Sequence, residues 1–209
     1  MSDSARLLGI VGSPRRGGNT DRLMDGILHA ASDRGASTAK LLLSDFDIRP
    51  CRGCLSCYPG GRERCAVHDD DVSEIFRRMS AADVWILGTP VYCYGPVGSV
   101  KVFLDRWISM LPAVRQETRG AALIPLHASA AGAAVTLDML TTLFRGFGIL
   151  YAGELICPGL LHREDLDRHP EYMGLAAEFG VSLASTLPSP PSQRTPVNGT
   201  TSPGRAMPS

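Results

Sequence analysis

Short apolar runs alternate with longer amphipathic stretches along this chain, and the two periods predict different elements. "RLLGIVG" (6–12), "TAKLLLS" (38–44), "DVWILGTP" (83–90), "GAALIPLH" (120–127) and "ILYAGELI" (149–156) are apolar runs of strand length. Such runs suit strands covered on both faces, as in a parallel sheet. Between them the apolar positions recur with helical spacing. Over 20–35, Leu23, Met24, Ile27, Leu28 and Ala31 share one face, and Gly35 ends the helix. Over 97–111 the face is Val100, Phe103, Leu104, Trp107 and Leu111; over 134–148 it is Leu137, Leu140, Phe144 and Phe147. Two more helices are expected over 69–82 and 170–187. Five strands alternating with five helices predict an α/β architecture, a doubly wound five-stranded parallel sheet with helices on both faces. After Leu187 the chain turns to Pro, Ser, Thr and Gly, so the folded domain is expected over 1–187 and a disordered tail over 188–209.

Charge narrows the partners. The chain has 21 Lys and Arg against 21 Asp and Glu, a formal net charge of zero, and no basic run. Neither nucleic acid nor an anionic membrane is an expected partner, because both need a basic face. The opening "MSDSARLLGIVGSPRR" has too short an apolar run for a secretory signal, and no stretch has the length of a membrane span. A cytoplasmic location is the expectation. There thiols stay reduced, which disfavours a disulfide framework and favours metal binding or catalysis for the cysteines.

"GSPRRGGNT" (12–20) joins the first strand to the first helix. In a doubly wound sheet this is a ligand position, at the carboxyl ends of the strands. Its chemistry suits a phosphate. Ser13, Asn19 and Thr20 can donate hydrogen bonds, Gly17 and Gly18 let the backbone approach, Arg15 or Arg16 supplies charge, and the helix N-terminus adds its dipole. A Walker loop needs Gly-Lys-Ser/Thr and the dinucleotide fingerprint needs G-x-G-x-x-G; neither is present. What remains is a site for a terminal monophosphate, or an ordinary Gly-rich turn with Asn19 or Thr20 as a helix cap.

"TPVYCYGPVGSVKVFLDR" (89–106) follows the third strand. Pro90, Val91, Tyr92, Tyr94 and Gly95 are candidates to shape a loop and pack a flat ring, against the alternative of surface tyrosines on a plain turn. Cys93 reads as a small semi-buried residue and Cys157, before Pro158, as structural. Asp69, Asp70 and Asp71 read as helix capping and dipole complement rather than a catalytic cluster. His127, at a strand end, reads as a satisfied polar residue.

"CRGCLSCYPGGRERC" (51–65) places Cys51, Cys54, Cys57 and Cys65 within one loop. Closely spaced thiolates can wrap an iron–sulfur cube. Zinc on four cysteines usually joins two separated C-x2-C knuckles, which this run lacks. An iron–sulfur cluster, a zinc site and no metal all remain open on the residues alone. His68 is a substitute ligand or a helix-start residue.

Taken together, "GSPRRGGNT", "TPVYCYGPVGSVKVFLDRW" and the cysteine segment resemble the iron–sulfur flavoproteins, a branch of the flavodoxin-like NAD(P)H-dependent FMN reductase superfamily. The resemblance covers roughly residues 6 to 185. It implies a flavodoxin-like fold and FMN held by Ser13, Arg15, Gly18, Asn19, Thr20, Pro90, Val91, Tyr92, Tyr94 and Gly95. The ring would lie between 89–95 and the 127–132 segment. It implies a [4Fe–4S] cluster on Cys51, Cys54, Cys57 and Cys65, a homodimer or higher homo-oligomer, and redox exchange with a small molecule and a one-electron carrier or NAD(P)H. Some proteins of this type are linked to dehydrogenating chorismate-derived acids such as 2-amino-4-deoxychorismate in antibiotic pathways, and Arg15, Arg52 and Arg62 would suit such an anion. Two other functions stay open: a metal-free FMN or quinone reductase, and a non-enzymatic electron carrier or redox sensor.

Overall fold

The computed structural model describes residues 4–58, 65–109, 118–125 and 130–185. Five parallel strands form the central sheet: β1 (Arg6–Val11), β2 (Ser37–Leu42), β3 (Val84–Gly88), β6 (Arg119–Pro125) and β7 (Leu150–Cys157), in the order β2-β1-β3-β6-β7. A two-stranded hairpin, β4 (Val91–Tyr92) with β5 (Gly95–Pro96), stands apart from it. The helices are α1 (Asn19–Asp33), α2 (Val72–Ala81), α3 (Gly98–Leu104), α4 (Ala130–Gly146), α5 (Asp165–Arg168) and α6 (Glu171–Ser185).

Alternation along each buried strand builds two cores. Leu7 and Val11, Val84 and Ile86, Ala121 and Leu123 face α1 and α6. Leu8 and Ile10, Trp85 and Leu87, Ala122 and Ile124 face the α2, α3 and α4 side, where Trp107 packs edge-on to Trp85 and Phe103. Helix α6 lies tight against α1 because Gly180 has no side chain there; a Cβ would overlap the Ile27 carbonyl. The order β2-β1-β3 puts a reversal of winding between β1 and β3. Ligands bind outside the carboxyl ends of the strands at such a point. Among the described residues no helix is long and apolar enough to cross a membrane.

The doubly wound flavodoxin-like fold expected from the periodicity and the resemblance is the fold observed. Three details differ. The helix expected over 97–111 is α-helical only to Leu104, then tightens through a turn into a 3-10 segment over 107–109. The Arg106 N–H donates to Phe103 and Ser109 N–H to Arg106, both three-residue steps. Arg106 lies in this tightened turn and is buried. Helix α4 begins at Ala130, four residues before the expected start at 134. The hairpin and α5 are too short to leave a periodic trace. The tail expected over 188–209, His127, Arg62 and most of the 58–64 insert lie outside the described residues.

Candidate functional site

The loop between β1 and α1 is held from three sides. Gly12 N–H donates to the Gly88 carbonyl at 2.8 Å, joining the carboxyl ends of β1 and β3, and the Ser99 hydroxyl donates to the Gly12 carbonyl at 2.7 Å. Ser13 is buried and its hydroxyl accepts Arg15 N–H at 3.2 Å. Gly17 adopts φ +65°, a left-handed conformation open to glycine, and its N–H donates to Asp21 at 2.7 Å. Gly18 is the helix N-cap and offers no side chain to close the first turn, so neither Asn19 nor Thr20 caps α1. The alternative of a plain turn capped by those residues is therefore not what forms. The first-turn amides stay uncapped by any side chain, as an anion site requires.

The expected phosphate residues have distinct surroundings. Arg15 donates to the Leu161 carbonyl at 3.0 Å, and Arg16 pairs with Asp45 on the outer face. The Asn19 amide donates to the His162 carbonyl at 2.8 Å, while its Oδ1 is buried without a partner. Thr20 is buried, its methyl against Gly88. Two features escaped the sequence reading. The segment after β7 grips this loop, and Asp165 fixes that segment by accepting Leu161 and His162 N–H at 2.8 and 2.6 Å. Asp21, buried in the first turn, is neutralised by Lys40 at 2.6 Å. Burial works against the Lys40 charge, but its bonds to Asp21 and Asp25 outweigh that and raise its pKa.

The loop after β3 folds into the β4–β5 hairpin, with Val91 opposite Pro96 and Tyr92 opposite Gly95. Its two turn residues, Cys93 and Tyr94, have φ of 49° and 63°. Two positive φ values match the mirror-image turn that hairpins favour, normally built from Asn-Gly. Here two residues with side chains occupy it, which stores strain. Tyr92 and Tyr94 are exposed at 43% and 74%. Cys93 is exposed rather than semi-buried, because the turn lifts it off the sheet. The α4 start closes on this hairpin: a Cβ at Gly132 would stand 3.0 Å from Val91. Thr89 is buried and braces the hairpin, accepting Val97 N–H at 3.1 Å.

The four clustered cysteines line one cavity of about 180 Å³, shared with Arg52, His68, Asp105 and Arg106 among others. Three N–H groups approach their sulfurs at 3.4 Å, Gly53 to Cys51 and both Val67 and His68 to Cys65, as does the Ser56 hydroxyl to Cys54. The hydroxyl and N–H of Ser56 hold Cys54 below an ordinary thiol, with Arg52 adding to the effect. Among the described residues no group of three His, Cys, Asp or Glu side chains is gathered closely enough to hold one metal ion. The His68 ring is engaged, with Nε2 3.0 Å from the Pro50 carbonyl. Cys157 is remote from this loop; burial pushes its thiol up to about 12, which leaves it inert and structural as expected.

The base of this loop is a polar clasp. Arg106 Nη1 donates to Asp70 Oδ2 at 2.5 Å and to the Arg49 carbonyl at 2.8 Å, and Nη2 donates to Asp70 Oδ1 at 3.2 Å. The two side chains are 3% and 2% exposed, so this is an internal ion pair. Asp71 accepts Asp47 N–H at 2.7 Å. Asp70 and Asp71 are thus loop ties as well as helix-start residues: Asp71 is the N-cap residue and makes no side-chain cap bond, while Asp70 Oδ1 accepts Val72 N–H at 3.4 Å. Burial alone pushes the Asp70 carboxyl up, but the Arg106 guanidinium and Arg49 N–H outweigh it and hold it below the usual carboxylate range. Burial likewise works against the Arg106 charge, and Asp70, with Cys65 and Cys51 adding, holds it firmly charged. A charge within an otherwise apolar helix face, beside Phe103 and Trp107, was the sequence signal for it.

Of the three arginines considered for an anion, Arg15 serves the first loop and Arg52 the cysteine cavity, so the structure does not bring those two together at one site.

The chain is similar to several known proteins. An iron–sulfur flavoprotein of Methanocaldococcus jannaschii is 41% identical over 101 residues, 48% of this chain and 51% of its own length. An iron–sulfur flavoprotein of Archaeoglobus fulgidus is 27% identical over 191 residues, 88% of this chain and 81% of its own. With the first of these the match spans about half the relative's length. Among solved structures, an NAD(P)H:quinone oxidoreductase from Methanothermobacter marburgensis superposes with a TM-score of 0.68 at 15% identity, over 86% of this chain and 99% of its own, a likeness of fold. The model of the NADPH-dependent FMN reductase family matches residues 5–157, and the chain belongs to that family.

Proposed function

We propose that the protein is an FMN-dependent oxidoreductase that also carries an iron–sulfur cluster on Cys51, Cys54, Cys57 and Cys65. The observation that carries the reading is that all four thiols line one cavity while the loop bearing them is tied shut by residues that are not ligands. When bound, FMN would exchange a hydride and release electrons singly, and a cluster would take one at a time. Cluster thiolates each bind a different iron, so they surround a volume rather than meet at a point. The N–H groups directed at Cys51 and Cys65 are of the kind that tune cluster sulfurs.

The chain's own residues divide the remaining work. Ser13, Arg15, Gly18, Asn19 and Thr20, with the uncapped turn of α1, would hold the flavin phosphate. The orphaned Asn19 Oδ1 would take a donor, such as a ribityl hydroxyl. Pro90, Val91, Tyr92, Tyr94 and Gly95 would cover the ring and exclude water from it. A chorismate-derived acid such as 2-amino-4-deoxychorismate is the finer substrate expectation, with a homo-oligomer as the working form; both rest on resemblance.

The second reading is a metal-free NAD(P)H-dependent FMN or quinone reductase. It is favoured by the spread of the thiols, which form no single-ion site among the described residues. Anaerobic purification followed by absorbance, flavin, iron and sulfide analysis tests both. FMN with four irons per chain supports the first; FMN without iron or sulfide after reconstitution removes it and leaves the second.

A further inference from the structure

We propose that Arg106 is the fixed cation of the cysteine cavity, raising the reduction potential of the cluster bound there and set against Asp70 as its counter-charge. This rests on the reading that the four cysteines hold an iron–sulfur cluster.

Arg106 lines the cavity together with all four cysteines, and Asp70 does not line it. The guanidinium is oriented by two bonds to Asp70 and one to the Arg49 carbonyl. With both partners almost fully buried, its charge is poorly screened. Among the described residues the other charges on the cavity wall are weaker sources. Arg52 is exposed, and Asp105 is half-exposed and neutralised by Lys101. Loop closure alone does not require a buried cation, because Asp71 with Asp47 and His68 with Pro50 already tie the ends. Burying an ion pair is expensive where apolar side chains would pack as well. Four thiolates concentrate negative charge, and one added electron increases it. A fixed cation on the wall stabilises the reduced state more than the oxidised one, and net charge is among the determinants of cluster potential. Only an electron moves, supplied by a chemical reductant in the test below, and no bond to a thiolate forms or breaks.

The pair predicts shifts of opposite sign, which a purely structural tie does not. Full-length wild type, Arg106→Gln, Arg106→Lys and Asp70→Asn are purified anaerobically, their iron and sulfide measured, and the cluster titrated reductively by absorbance and electron paramagnetic resonance. In Arg106→Gln the reduction equilibrium is expected to move about tenfold toward the oxidised form, about 59 mV for one electron. In Asp70→Asn it moves in the other direction, because the guanidinium loses its counter-charge. Arg106→Lys keeps a cation but loses the fork that bonds both Asp70 oxygens, so its shift is expected to have the sign of the Arg106→Gln shift and to be smaller. If Arg106→Gln does not retain a cluster, the upward shift in Asp70→Asn decides. Shifts of one sign, no shift, or loss of iron in all three variants from a cluster-bearing wild type overturn the proposal and leave a structural clasp. A wild type without iron or sulfide overturns the cluster reading itself and the proposal with it.

Discussion

The loop after β1 and the loop after β2 leave the same edge of the sheet and are built on opposite plans. The first is short and braced along its length. Gly12 is tied to Gly88 and Ser99, Arg15 to Leu161 and Asn19 to His162, so strands, helix and a distant segment all hold it. The second runs from Pro50 to Asp69 with its four exposed or half-buried cysteines, and among the described residues its strongest ties sit at its base. The difference suits the ligands proposed for each. A phosphate is held by backbone N–H groups, whose direction is useful only if the frame is rigid before binding. A metal cluster is held by covalent thiolate bonds, which impose their own geometry once the ligands are brought near. A clasp at the base is then sufficient.

That contrast is tested most severely at a cysteine. Cys54→Ala is expected to lose essentially all iron and sulfide while keeping the fold and most FMN, because an iron without its thiolate is open to solvent and the sheet core does not pass through this loop. Circular dichroism, flavin content and iron analysis of one preparation check it, and loss of FMN in parallel with iron would mean that the two loops are one site.

The clasp carries the next effect. Asp70→Ala strands the Arg106 charge and is expected to cost about 3–5 kcal/mol in urea unfolding, the range for a broken buried pair. The same pair has a pH signature. The folded-state pKa of Asp70 lies below its unfolded value, so its stabilisation is fully present above about pH 4 and fades as pH falls through the folded value. Asp70→Asn should flatten the stability profile in that acid range alone, and an unchanged acid limb would show that Asp70 is not linked to folding.

A smaller effect is expected in the braced loop. Arg15→Ala should weaken FMN binding by about 1–3 kcal/mol in a flavin titration, the range for a charge-assisted hydrogen bond. Equal weakening by Asn19→Ala would place the contribution in the whole brace, through Leu161 and His162, rather than in the Arg15 charge. Smallest of all is truncation after Leu187. The removed segment has almost no apolar surface to bury, so unfolding free energy should move by less than about 0.5 kcal/mol.

The apolar periodicity determined the sheet, its helices and the position of both loops, since burial on two faces demands continuous apolar strands and one-sided helices. Leu8, Ile10, Trp85 and Leu87 on one side and Leu7, Val11, Val84 and Ile86 on the other were legible for that reason. The donor types in 12–20 and the four cysteines were legible as chemistry, because residue type and spacing carry that information locally. The partners of those residues were not. That Asp70 holds Arg106 as well as the start of α2, that residues near 161 brace the first loop, and that Cys93 and Tyr94 sit at positive φ depend on contacts between segments far apart in the chain. A hydrogen bond across 36 or 146 positions leaves no periodic trace, and only the packed sheet brings its two ends to within 3 Å.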